Sequence, residues 1–179
     1  MRLEEPSKGD EHRLLAFFES LSRETVLMRF LRPIRHFGPE VRRILDRSTT
    51  PVAVVTSLPD GKVIGSGEVY KITPSEGELA IVVHDAYQRR GLGSLIMYTL
   101  FLESAKKGIR KIHAYTHETN IPMKRLAKKF GGRLAGRIEE DMYDFVFDTE
   151  EALKIGEKVL AEKGIVVKTV EQAAEATAA

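Results

Sequence analysis

The chain has 179 residues, a formal net charge of +2, and 42% hydrophobic against 30% charged residues. That balance excludes the low-hydrophobicity, high-charge signature of disorder and suits one folded domain of ordinary size. The small net charge excludes a global field that gathers nucleic acid, so no direct nucleic-acid binding is expected, and the absence of cysteine excludes disulfides, thiolate nucleophiles and zinc–thiolate sites.

The opening MRLEEPSKGDEHRLL lacks the apolar core of a signal peptide, and no segment reaches the roughly 18 apolar residues that span a bilayer. No membrane partner is expected, and a cytoplasmic location is the default. From Asp10 to Phe30 apolar residues recur at helical spacing with a break near Leu21-Ser22, which predicts two short helices. Ser22 is placed to cap the second, and Pro33 stops it. A third helical piece is expected from Pro39 to Asp46.

The pattern then turns strand-like over Val52 to Thr56, Val63 to Ile72 and Glu78 to Val83, with turns at Pro59-Asp60-Gly61 and from Pro74 to Gly77. Three such runs in succession predict an antiparallel meander. The run GLGSLIMYTLFLESAKKG, from Gly91 to Gly108, reads as a long helix closed by lysines and glycine. Lys111 to Thr116 reads as a strand, Pro122 to Phe130 as a basic amphipathic helix, and Arg133 to Ile138 with Met142 to Phe147 as a closing pair of strands. Thr149-Glu150-Glu151 starts a last helix that ends near Gly164; Val166-Val167 is a candidate short strand, and the tail EQAAEATAA is expected to fray. The fold class is mixed α/β.

The chemistry concentrates at Gln88-Arg89-Arg90-Gly91-Leu92-Gly93-Ser94, between an apolar strand and the long helix. Unpaired N–H groups at a helix start, at the positive end of its dipole, can hold a pyrophosphate, and glycine lets phosphates approach the main chain. A G-x-G by itself also describes a plain strand-to-helix turn. The dinucleotide fingerprint fails because Ile96 stands where a third glycine belongs, and the Walker pattern fails because no Gly-Lys-Ser/Thr follows.

With the signature Gln/Arg-x-x-Gly-x-Gly/Ala matched at Gln88, Gly91 and Gly93, the sequence resembles the GNAT superfamily of acyl-CoA-dependent N-acyltransferases. LSRETVLMRF, GELAIVV and ETNIPMKRLAKKFGG look like the Pat-type protein lysine acetyltransferases of bacteria and archaea, and the likeness covers residues 10 to 148 in order. The resemblance implies a GNAT fold: a mostly antiparallel sheet flanked by helices, with acetyl-CoA as cosubstrate between two diverging strands and no metal. Residues 1–148 would form the acetyltransferase domain, and 149–179 a C-terminal helical extension of the same domain.

The resemblance further implies that Gln88, Arg89, Arg90, Gly91, Leu92, Gly93 and Ser94 bind the cosubstrate, main-chain groups from Arg89 to Ser94 holding its pyrophosphate. The strand around Val83 would pair with the pantetheine arm, N–H groups near Val82 and Val83 would polarise the thioester carbonyl, and Asn120 would contact the arm besides capping a helix. Glu78 would be the general base, because a lysine amine is almost wholly protonated at neutral pH and must lose a proton before it attacks. Without the resemblance Glu78 reads as an exposed acid at a strand start; Glu76, placed in the turn, Glu68 and Glu118 are its competitors.

Two departures from the wider superfamily matter. Ala127 occupies the position of a tyrosine acid, and Gly132 replaces a phenylalanine. His113 and His117 have a metal-like spacing but fall on or after a strand with no third ligand, so no metal site is expected. Lys124, Arg125, Lys128, Lys129 and Arg133 are a solvated helix face or an attraction for the CoA 3′-phosphate. Arg29, Arg32, Arg35, Arg42 and Arg43 sit on the N-terminal helices, which flank the acceptor groove in the superfamily. The implied acceptor is a lysine on a protein such as an acyl-CoA synthetase or a chromatin protein. A small-molecule amine, or a non-catalytic acyl-CoA sensor, is the alternative; the oligomeric state is left open.

Overall fold

The computed structural model describes residues 1–139 and 141–165; the candidate strand at Val166-Val167 and the tail lie outside them. Seven strands form one sheet in the order β1-β2-β3-β4-β5-β7-β6. They are β1 (Arg2–Glu4), β2 (Val52–Ser57), β3 (Val63–Thr73), β4 (Glu76–Val83), β5 (Lys111–His117), β6 (Arg133–Glu139) and β7 (Met142–Asp148). The helices are α1 (Glu11–Glu19), α2 (Arg23–Phe30), α3 (Gly38–Leu45), α4 (Leu92–Lys106), α5 (Ile121–Lys129) and α6 (Thr149–Glu162). Among the described residues no helix is long and apolar enough to cross a membrane.

Period-two alternation sorts each strand between two cores. On β2, Val52 and Val54 face a cluster shared with Ile96, Met97, Leu100 and Phe101 of α4. Ala53 and Val55 face the opposite cluster, built by Leu14, Phe17 and Phe18 of α1 with Val41 and Ile44 of α3. With both faces covered, every residue of β2 is buried. The last helix belongs to the first core through Val159 and Leu160 and packs along α4.

Three details differ from the sequence-based expectation. Arg2–Glu4 adds a short edge strand, paired with Val55 to Ser57, in a charged segment that shows no alternation. The turn after β3 is tighter than Pro74 to Gly77: Thr73 already pairs with Glu76, so Glu78 is the third residue of β4 instead of its first. The final strand, β7, inserts between β5 and β6, a placement that adjacency in sequence does not specify.

Every pairing is antiparallel except β4 with β5, which is parallel and limited to Glu76↔Lys111, Gly77↔Ile112 and Glu78↔His113. Beyond Glu78 the two strands part, while β4 stays paired to β3 through Val83. The β5-facing edge of β4 from Leu79 to Val83 therefore has no strand partner. Parallel neighbours need a crossover, and α4 supplies it. Its N-terminus accordingly lies where the strands open.

Helix α2 is held over this opening by a buried ion pair. Arg29 donates to Glu68 at 2.5 Å and to the Tyr70 hydroxyl at 2.9 Å, and the Ser66 hydroxyl donates to the other Glu68 oxygen. The Arg29 and Glu68 side chains are only 5% and 0% exposed. Breaking such a pair from one side strands a buried charge, whereas replacing both with apolar groups can be neutral. Arg29→Met should lower the unfolding free energy by about 3 kcal/mol, and Arg29→Met/Glu68→Met should recover much of it; urea denaturation monitored by circular dichroism measures both.

Candidate active site

Two adjoining cavities occupy the opening between β4 and β5. The larger, about 440 Å³, is walled by Ile81, Val82 and Val83 of β4, by Gln88, Arg89 and residues 91–94 of the following loop and helix start, and by Asn120, Met123 and Leu126 at α5. The smaller, about 120 Å³, is walled by Glu78, Tyr70 and Tyr115 from the sheet, by Arg29 of α2 and Arg43 of α3, and by Arg32, which with Arg35 lies in the loop between those helices and not on them as the sequence suggested. Met28, Arg29, Ile81, Asn120 and Met123 line both. They form the waist where the spaces meet.

The larger cavity ends at the start of α4. Gly91 is the N-cap, at φ +88°, and Arg89 also takes a left-handed conformation, at φ +61°. These conformations turn the main chain from strand to helix, and for Gly91 the missing side chain makes that turn inexpensive. No side chain caps the helix, so the N–H groups of Leu92, Gly93 and Ser94 stand uncovered at the positive end of a 15-residue helix. The loop is braced from behind: Gln88 donates to the Val83 carbonyl at 3.1 Å. Arg90 is not in the cavity wall; its guanidinium lies 5.4 Å over the Tyr87 ring.

Asp85, which sequence reasoning passed over, ties this loop to α2. One of its oxygens accepts from the Ser22 and Thr25 hydroxyls at 2.7 Å each, and the other from the Ser22 N–H at 3.0 Å. Partial burial pushes the carboxyl up, but the bonds from the Ser22 N–H, then Thr25 and the Ser22 hydroxyl, outweigh it and hold the pKa at about 2. Ser22 also caps α2, accepting from the Thr25 N–H at 3.1 Å. The expected cap is therefore part of a longer chain of bonds.

Of the two roles expected for Asn120, the helix cap is present. Its carbonyl oxygen accepts from the Met123 N–H at 3.1 Å and caps α5, which fixes the orientation of the amide. The Asn120 NH₂ group is then the part available to the waist of the two cavities.

Glu78 lines the smaller cavity, half-buried, with Tyr70 beside it on β3 and His113 beside it on β5. Burial pushes its carboxyl above the ordinary range against the pull of Arg43, Arg29 and His113, and Asp144 adds to the upward push. Tyr115 is held in its neutral form by burial and then by Asp144, Glu78 and Glu76. Glu78's competitors are engaged elsewhere: Glu68 with Arg29, Glu76 with Lys111 at 3.2 Å, and Glu118 with Arg137 at 3.1 Å on the surface. Glu76 belongs to β4 and not to the turn.

The histidines do not converge. His113 Nδ1 lies 3.0 Å from Asp144, while His117 bonds Thr119. Among the described residues no three His, Cys, Asp or Glu side chains are grouped to hold a metal ion. Ala127 is fully buried in the α4-side core. Gly132 is pressed against Phe147, whose ring would be 2.7 Å from any added Cβ; Phe147 occupies the volume that a phenylalanine at 132 would need.

A sheet opened between two central strands, with a helix N-terminus directed at the opening, defines the cofactor cleft of acyl-CoA-dependent transferases. The cavity fits that cosubstrate: uncovered amides for its diphosphate, an unpaired strand edge for its two amides, and apolar walls between. The chain belongs to the Acetyltransferase (GNAT) family, whose model matches residues 15–132. The GNAT domain of Streptomyces lividans PAT superposes with a TM-score of 0.76 at 24% identity, over 82% of this chain and 89% of that one. Spermidine N-acetyltransferase from Vibrio cholerae, solved with CoA and spermine, gives 0.71 at 16% identity over 85% and 97%. The Salmonella typhimurium protein yncA, solved with its cofactor acetyl-CoA, gives 0.67 at 16% identity over 83% and 93%. The chain is accordingly an N-acetyltransferase that uses acetyl-CoA.

Asn120→Asp keeps an oxygen for the cap and removes the NH₂ group, whereas Asn120→Ala removes both. Asn120→Asp should hold its melting temperature but lose acetyl transfer, while Asn120→Ala should also lose about 1 kcal/mol of stability. Thermal melts and initial rates on the same preparations separate the cap from the cosubstrate contact expected from the sequence.

Proposed function

We propose that the chain acetylates lysine side chains of proteins by direct transfer, with Glu78 as the general base. The observation that carries this reading is the acceptor side of the cleft: about 120 Å³, sized for one extended side chain, and walled by Arg29, Arg32 and Arg43 as well as by Glu78 and Glu40. Arg29 is matched by Glu68 and Arg32 by Glu40 at 2.5 Å, but Arg43 stacks 4.2 Å over the Tyr70 ring with no carboxylate bound to it among the described residues. A polyamine would bring several positive charges against this rim. A lysine on a protein brings one, at the end of an apolar stem. The likeness to the Streptomyces lividans PAT domain supports the same reading.

Acetyl-CoA supplies the activated acetyl group, and the residues of this chain do the rest. Main-chain N–H groups of Leu92, Gly93 and Ser94 fix the diphosphate, with Arg89, Gly91 and Gln88 shaping the loop around it. The free edge of β4 at Val82 and Val83 holds the extended arm, and the Asn120 NH₂ marks the waist. Arg90 adds positive charge outside the cavity wall. Glu78 takes the proton from the acceptor amine, and burial suits it to do so: a carboxyl held above its ordinary range is a stronger base in its ionised form. Positioning of the two reactants in one cleft supplies much of the remaining rate.

The sign of the pH dependence follows. Glu78 acts in its ionised form, so transfer falls as pH drops through its raised pKa. Arg43 is the foremost of the charges that pull this pKa down, so Arg43→Ala should move the acidic limb of kcat/KM to higher pH. Glu78→Gln should lower kcat by about 100-fold or more while acetyl-CoA affinity stays unchanged. Lysine acetylation mapped by mass spectrometry, after host proteins meet acetyl-CoA and either wild type or Glu78→Gln, tests the whole reading. Sites made only by wild type are expected; transfer to spermidine with none to protein would overturn the choice of acceptor.

A further inference from the structure

The segment after β7 contributes to the cofactor cavity. The family model ends at residue 132, yet Lys163, just past the end of α6, is part of the wall of the larger cavity. Its ammonium lies 3.6 Å from where a Cβ on Gly91 would stand, beside the uncovered amides of α4, and Ile165 approaches the same point at 3.8 Å. Geometry within the chain accounts for this reach: α6 runs against α4, with Val159 and Leu160 in the shared core, so the C-terminal end of one helix meets the N-terminal end of the other. Partial burial, then the like charge of Lys129 at the end of α5, hold the Lys163 ammonium below the ordinary lysine range. Two like charges brought together at a helix N-terminus, itself positive, repel one another in the free protein. An anion between them removes the repulsion.

We infer that Lys163 and Lys129 form a cationic clamp, supplied by α6 and α5, that closes on a phosphate group of acetyl-CoA at the start of α4. Lys163, at the end of α6, thereby belongs to the cofactor site. The inference needs only the cosubstrate that the family uses and not the identity of the acceptor. It also divides the basic cluster noted in the sequence: Lys129 is the member that stands beside Lys163, whereas Lys124 donates to the Glu118 carbonyl at 2.9 Å and is occupied. The phosphate contacted is either the diphosphate or the 3′-phosphate, and the two are separable by ligand.

The experiment is calorimetric titration of wild type, Lys163→Ala and Lys163→Arg with CoA and with 3′-dephospho-CoA, beside thermal melts of the free proteins. Lys163→Ala should weaken CoA binding about 5-fold, with a shallower dependence on salt, while Lys163→Arg stays within about 2-fold of wild type. The free Lys163→Ala protein should melt within about 2 °C of wild type, since the repulsion it loses offsets the favourable place of a cation at the C-terminal end of α6. That combination is one that a merely structural lysine would not give. If the Lys163→Ala penalty disappears with dephospho-CoA, the clamp holds the 3′-phosphate; if it persists, the clamp holds the diphosphate. Equal CoA affinity in wild type and Lys163→Ala would overturn the inference. So would a lowered melting temperature in free Lys163→Ala with no recovery of affinity in Lys163→Arg.

Discussion

Three residues of parallel pairing, Glu76 to Glu78 against Lys111 to His113, are the constraint from which the cleft follows. Backbone N–H and C=O groups need partners, and a strand edge inside a folded sheet is an unusual place to leave them open. Where β4 leaves β5 after Glu78, an extended ligand with amides of its own can take the missing place. The same parallel step forces a crossover, so the chain must leave β4 at its C-terminal end and enter a helix there. One topological choice thus puts an unpaired strand edge, a helix N-terminus and a carboxylate at the last paired residue within one opening.

The electrostatics of the opening depend on which charges are already matched. Arg29 is close to Glu78 in the cavity wall and pulls its carboxyl down, although the same charge is also met by Glu68 at 2.5 Å in a buried setting. Arg43 has no carboxylate partner among the described residues, but it is exposed, and solvent screens it. Burial of the carboxyl is the largest cause and outweighs the pull of Arg43, Arg29 and His113, so its pKa moves up instead of down. Glu68, the better-buried acid, is excluded from proton transfer for the opposite reason: it is already the counter-ion of Arg29. Asp85 shows the other outcome, since three hydrogen bonds outweigh its modest burial.

What the sequence made legible were elements whose signals are local. The long apolar run closed by lysines and Gly108 located α4, runs rich in β-branched residues located the meander, and Ser22 and Asn120 capped the helices they were expected to cap. Residues whose roles come from distant partners were not legible. Arg29 looked like one of five arginines on a basic surface, and only the packing of α2 over β3 buries it against Glu68. Arg2–Glu4 has no strand pattern of its own and is a strand because β2 offers an edge. Lys163 lay beyond the stretch that carried the family resemblance, and nothing in α6 itself indicates that its end meets α4. The loop Gln88–Ser94 was legible as a phosphate loop only through its neighbours, because Gly-x-Gly describes many turns.

The absence of a tyrosine at position 127 can be understood from the core. Ala127 is fully buried among Phe130, Phe147 and the α4 side chains, and Gly132 already brings the backbone against the Phe147 ring. A tyrosine could not be added there without displacing that aromatic packing, so the α5 that closes this core is incompatible with an acid at that point. The chemistry tolerates the loss unequally. A thiol with a pKa near 8.5 leaves as a thiolate at little cost near neutral pH, whereas an amine with a pKa near 10.4 is rarely free to attack. Proton removal is the more demanding half of the exchange. In the proposed reaction the structure meets that half with a half-buried carboxylate at the junction of β4 and β5 and leaves the other half to the leaving group itself.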